Sequence, residues 1–130
     1  MTVNKSRSRE TSARRTIKRS TLPIPGGRAP RSDCPVGWAL EVIGDRWTLL
    51  IIRDMLVEGK KTYKEFQDSP ERIPTNTLAA RLKLLEETGI VEKNLYQTNP
   101  DRYEYTLTKR GLGLRDVLIS LRDWAQGLKT

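Results

Sequence analysis

The chain has 130 residues, 36% hydrophobic and 31% charged, with a formal net charge of +8. That length suits one domain with a modest core plus a tail, and no apolar run approaches the roughly 18 residues that span a bilayer. One cysteine forms no internal disulfide and no apolar stretch follows the charged start "MTVNKSRSRE", so no secretory signal and no membrane partner are expected, and a cytoplasmic location is.

Residues 1–33 hold nine Lys and Arg against Glu10 and Asp33, which is +7 of the total +8. The segment is rich in Ser, Thr, Arg and Pro, and "LPIPGGRAP" interrupts any helix through it. It reads as a disordered basic N-terminal arm; a solvated tail with no role is the other reading. The folded domain is expected over 34–130. That part is nearly neutral, so any basic face there arises from local clustering.

"CPVGWALEVIG" predicts a first helix, with Pro35 in its first turn, Cys34 at the N-cap and Gly44 at the end. Trp38, Val42 and Ala39 make its apolar side. "DRWTLLIIRDMLVEGKK" predicts a second helix capped by Asp45 and stopped at Gly59. It is apolar on most sides (Trp47, Leu49, Leu50, Ile51, Ile52, Met55, Leu56), as befits the centre of the core. "TYKEFQDSP" predicts a short third helix in which Thr62 and Glu65 form a capping box and Phe66 reaches the core. After the loop "SPERIP", Leu78, Leu82 and Leu85 recur at i, i+4 and i+7, one buried stripe of a fourth helix closed by Gly89. "IVEKNLYQ" and "YEYTLT" predict two strands joined by "TNPDR". Thr108 is then expected to cap one long helix with Leu114, Val117, Leu118, Leu121, Trp124, Ala125 and Leu128 along a single stripe.

The chain has no histidine, no glycine-rich phosphate loop and no metal-ligand spacing. Glu86 and Glu87 are adjacent and diverge on a helix. No catalytic residue, metal or cofactor is expected, and the chain does not read as an enzyme.

The element order predicts a mainly α fold with a small antiparallel β-wing: a winged helix-turn-helix. There the helix after the turn enters the major groove by its N-terminal residues, while neighbouring elements hold the backbone. Double-stranded DNA is therefore the expected partner. Thr75, Asn76 and Thr77 are short enough to let the helix approach and to reach bases or phosphates. Arg81 and Lys83, further along, are placed to meet phosphates, as are Lys60 and Lys61 in "GKK" after the second helix and Arg102 at the wing tip. Three of them have a plainer alternative: Thr75 as N-cap, Arg81 in a salt bridge to Glu86 or another surface, and Arg102 merely solvated.

"CPVGWALEVIGDRWTLLIIRDMLVEGKKTYKEF", "LAARLKLLEETGIVEK" and "YEYTLTKRGLGL" resemble successive blocks of the HxlR-type family of bacterial winged helix-turn-helix regulators. The resemblance covers about residues 34–128; the arm lies outside it. It implies a homodimeric, sequence-specific transcription factor on a near-palindromic operator, paired through the first and last helices. Trp38, Leu118, Leu121 and Trp124 are then the expected interface, against the alternative that the last helix packs only on its own domain. Some relatives use a cysteine at the position matching Cys34 as a redox or electrophile sensor; the alternative for Cys34 is a small, partly buried apolar residue. The residues leave open a winged-helix protein-docking module or a non-specific DNA binder driven by the arm. They do not specify a small effector.

Overall fold

A computed structural model describes residues 33–129. The expectation for the arm therefore lies almost wholly outside the described residues. Two units follow, one ending at Gly44 and the other spanning Asp45–Thr130.

The described part of the first unit is helix α1, Pro35–Ile43, with Cys34 at its N-cap and Gly44 at its C-cap. Trp38 is buried, whereas Val36 and Leu40 are exposed. Two expectations change here: Ala39 is exposed rather than on a covered side, and the uncovered apolar residues are Val36 and Leu40, not Trp38.

The second unit is built on α2, Thr48–Val57. The helix starts three residues after Asp45, but Asp45 still caps it. Its carboxylate accepts from the N–H groups of Trp47 (2.9 Å) and Thr48 (3.0 Å) and from the Thr48 hydroxyl. Ile51, Ile52 and Met55 are buried, and Trp47, Leu49, Leu50 and Leu56 are half-buried. Helix α3, Tyr63–Gln67, carries the expected capping box of Thr62 and Glu65, and Phe66 is fully buried.

Helix α4, Thr75–Glu87, buries Leu78, Leu82 and Leu85. Its end is a Schellman motif, in which Gly89 N–H donates to Glu86 (3.1 Å) and Ile90 N–H to Leu85 (2.9 Å). Gly89 sits at φ +76°, where a side chain would be strained.

Strands β1, Val91–Gln97, and β2, Arg102–Leu107, form the antiparallel wing, with Val91 opposite Leu107 and Leu95 opposite Tyr103. The alternation puts Val91, Lys93 and Leu95 with Leu107, Tyr105 and Tyr103 on one face. That face begins in the core, where Tyr105 meets Phe66 edge-on (6.3 Å), and ends exposed at Leu95 and Tyr103.

The single long last helix is not what forms. Thr108 caps a short helix α5, Lys109–Leu112, which ends at Gly113, and α6 then runs over Arg115–Lys129. Packing is the reason for the break. Gly111 is buried so closely that an added Cβ would lie 2.3 Å from the Ile90 carbonyl oxygen, and this fixes α5 on the start of β1. Helix α6 then passes along α2. Leu114, Leu118 and Ile119 are half-buried, and every residue from Ser120 to Leu128 is exposed.

Candidate nucleic-acid interface

Two sets of hydrogen bonds hold α3 and α4 in a helix-turn-helix. The Tyr63 hydroxyl donates to the Thr75 carbonyl oxygen (2.7 Å), tying α3 to the first turn of α4. Beneath the turn, Arg53 on α2 makes a two-pronged contact with Glu71 (2.7 and 2.8 Å), and Ser69 adds a third bond to the same carboxylate (2.9 Å). Arg53 also reaches Asp54 (2.8 Å), which is 1% exposed and meets Lys60 at 3.5 Å. The Arg53 guanidinium holds Glu71 down at about 2, and Glu71 and Asp54 push Arg53 upward.

With the turn fixed, α4 presents a defined outer face. Residues three and four apart share a helix face, so Asn76, Ala79, Ala80 and Lys83 line up opposite the buried leucines, and all four are exposed. The two alanines keep this face flat, and alanine can also touch a thymine methyl. Neither alanine carries a charge or a polar group that marks it in the sequence, although two small residues between Thr77 and Lys83 are a legible signal. The N-terminal end of the face is uncharged, Lys83 supplies a cation, and exposed Glu86 and Glu87 end it with negative charge. Only the N-terminal two thirds of the helix therefore suits a polyanion.

Thr75 is the first helical residue, not the cap; Pro74 occupies the cap position and no side chain caps from there. The Asn76 side chain accepts from the Thr77 N–H (3.0 Å), and Thr77 is half-buried. Arg81 does not pair with Glu86. Its Nε lies 3.6 Å from the Asp45 carboxylate, buried and without a hydrogen-bond partner. Burial raises the Asp45 pKa, but the bonds from Thr48 and Trp47, together with Arg81, outweigh it and hold the carboxyl below its usual value. Arg81 thus ties α4 to the start of α2.

Lys60 is turned to buried Asp54 and its side chain is only 15% exposed, which takes it out of the set facing solvent. Lys61 is exposed, and its carbonyl oxygen accepts from the Tyr105 N–H (2.7 Å), so the wing positions it. Arg102 is exposed at the start of β2. The structure adds Lys64, exposed on α3, and Lys93, whose ammonium lies 4.5 Å from the centre of the Tyr103 ring. The lysine–tyrosine pair is cross-strand and diagonal, a relation visible only once register is known. The candidate interface is thus an outer helix face flanked by Lys61, Lys64 and the wing cations.

Among the residues expected to pair two protomers, Leu118 is half-buried, whereas Leu121 (44%) and Trp124 (66%) are exposed. Cys34 is exposed at the N-cap of α1.

Residues 42–130 match the family model for the HxlR-like helix-turn-helix. The regulator YdeP of Bacillus subtilis, described as an uncharacterized transcriptional regulator of the helix-turn-helix type, is 32% identical over 96 residues, 74% of each chain. The redox regulator HypR in its reduced form superposes with a TM-score of 0.67 at 31% identity, over 74% of this chain and 94% of that one. The reduced form of the transcriptional regulator YodB from Bacillus subtilis does so with a TM-score of 0.61 at 36% identity, over 72% of this chain and 92% of the other. With its winged helix-turn-helix architecture, the chain belongs to the HxlR-like helix-turn-helix family and is a transcriptional regulator of that type.

Proposed function

We propose that this regulator binds a near-palindromic operator as a homodimer in the bacterial cytoplasm, each protomer reading one half-site with the N-terminal part of α4. The observation that carries the reading is the outer face of α4: Asn76, Ala79, Ala80 and Lys83 in one exposed row with acidic residues only at its far end. Asn76 is the base-reading residue, since its amide matches the paired donor and acceptor of adenine. Thr75 and Thr77 flank it, and Lys83, Lys61, Lys64 and Arg102 meet phosphates. Arg81 acts through position, held by Asp45. The partner chain covers Val117, Leu121, Trp124 and Leu128 on α6, and Val36 and Leu40 on α1, all of which are exposed in one protomer. The two reading heads then meet half-sites about 34 Å apart, one DNA turn.

Redox or electrophile response through Cys34 is the finer part of the proposal. Its support is the exposed position at a helix N-terminus and the likeness to HypR, a protein described as a redox regulator.

The test uses fragments selected from genomic DNA and fluorescence anisotropy against their single-base variants. Asn76→Ala should weaken binding by about 1–3 kcal/mol, with discrimination lost at one symmetric position only. An Asn76→Ala protein with unchanged base preference everywhere removes α4 as the reader.

A further inference from the structure

The stretch "TKRGL", which is α5 with its cap Thr108, makes no proposed DNA contact, yet it makes a dense set of bonds to the end of the reading helix. The Thr108 hydroxyl shares its proton between the carbonyl oxygens of Gly89 (2.6 Å) and Ile90 (3.1 Å) and accepts from the Gly111 N–H (3.2 Å). The Thr108 N–H donates to Ile90 O (3.0 Å). Arg110 Nη1 donates to the Thr88 carbonyl oxygen (3.0 Å). Three successive carbonyls at the close of α4, those of Thr88, Gly89 and Ile90, are thereby held by α5. Gly111 brings the two backbones together, its missing Cβ leaving room for Ile90 O and the Leu107 side chain.

At its other end α5 leads into α6 through a hydrogen-bonded turn. Gly113 N–H donates to Lys109 O (3.2 Å) and Leu114 N–H to Gly111 O (3.0 Å). One hydrogen-bonded elbow therefore joins the C-terminus of the reading helix to the base of α6.

We infer that α5 is a spacing gauge: Thr108, Arg110 and Gly111 are positioning residues that fix the angle between α4 and α6 and thus the half-site separation the dimer accepts. The inference rests on the dimeric reading proposed above. Leverage makes the angle matter. Helix α4 has 13 residues, about 20 Å at 1.5 Å each, and is held by α5 at the end opposite Asn76. A tilt of roughly 10° at the elbow moves the reading residues about 3.4 Å, the rise of one base pair.

The experiment measures binding to duplexes that carry two identical half-sites at the native centre-to-centre distance, at that distance plus or minus one and two base pairs, and to a single half-site. The proteins are wild type, Arg110→Met, Thr108→Val and Gly111→Ala, with dimerisation and helix content measured alongside. Wild type should prefer one spacing sharply. Arg110→Met alters an exposed side chain and removes one charge-assisted bond, so it should fold and dimerise. Its preference for the native spacing should fall by about tenfold while single half-site recognition is kept. Thr108→Val should act in the same direction, and Gly111→Ala, where folded, should move the optimum to another spacing. A dimeric Arg110→Met protein with the wild-type spacing profile overturns the inference, as does an equal loss at every spacing, which marks a purely structural role. Failure of wild type itself to bind any paired site as a dimer instead defeats the reading beneath it.

Discussion

Replacing Asp54 by Asn keeps the shape of a buried side chain and removes its charge, which isolates the electrostatic role of one residue. Asp54 is 1% exposed and meets Arg53 at 2.8 Å and Lys60 at 3.5 Å, whose side chains are 31% and 15% exposed. An exposed pair contributes about 0–1 kcal/mol; removing one partner of a buried pair costs about 3–5 kcal/mol, because the other charge is left uncompensated. Here one partner is buried and the others are partly wet, and the new amide would turn its NH2 toward one of the two cations and leave a single neutral oxygen for the other. The expected cost is about 3 kcal/mol. For a domain of this size each kcal/mol shifts the melting midpoint by about 4–8 °C, so the loss should be at least 12 °C or so. Urea unfolding followed by far-UV circular dichroism measures it, at one fixed protein concentration because the proposed pairing of protomers would add to apparent stability. A loss below about 1 kcal/mol would refute the argument, since it would show Asp54 behaving as an exposed carboxylate. Adding Arg53→Met to Asp54→Asn should then cost less than the sum of the two single changes, since the pair shares one network.

Glu71 is held at about 2 against an ordinary 4.5 by its bonds from Arg53. Its folded value is the lower one, so its stabilisation is present above about pH 4.5 and is lost as pH falls toward 2. Glu71→Gln should be less stable than wild type at neutral pH by about 1 kcal/mol, limited by solvent screening, and should converge with it in acid; parallel pH profiles contradict this. Deleting residues 1–32, which carry nine basic charges and one acidic charge, should weaken DNA binding and lower its salt slope more than its sequence preference. Equal slopes for the two proteins would make the arm a bystander. Diamide should change operator binding by wild type and leave Cys34→Ser unaffected; a response that persists in the Ser protein, or none in either, excludes Cys34 as the sensor.

What the sequence disclosed about this fold was what local chemistry decides. The leucine period of α4, the capping box at Thr62 and Glu65, and the closing glycines Gly59 and Gly89 are all short-range signals, and each marks a real feature. The break between α5 and α6 was hidden because Thr108 and the apolar period beyond it fit one helix equally well. It arises from Gly111 against Ile90, twenty-one residues apart in the chain. The charged residues were read least well for the same reason. Lys60 precedes α3 and Arg81 lies on α4, and only the folded chain shows that Asp54 and Asp45 hold them. Conversely, Ala79 and Ala80 carry no chemistry that draws notice until the helix face they flatten is in view.

The exposed stripe of α6 has a consequence for a cell that holds several regulators of this build. Val117, Leu121, Trp124 and Leu128 offer apolar surface that any similar helix would cover, and hydrophobic contact discriminates poorly between partners. Faithful self-pairing in the proposed dimer then depends on what borders the stripe. Arg115, Asp116, Arg122 and Asp123 are all exposed beside it, and Arg122 and Asp123 already pair within one helix at 3.0 Å. An arrangement of mixed sign penalises a partner that brings like charge to the same place. Paralogues would therefore be expected to diverge first at these charged positions and last along the apolar stripe, keeping each regulon insulated from the others without altering the surface that reads DNA.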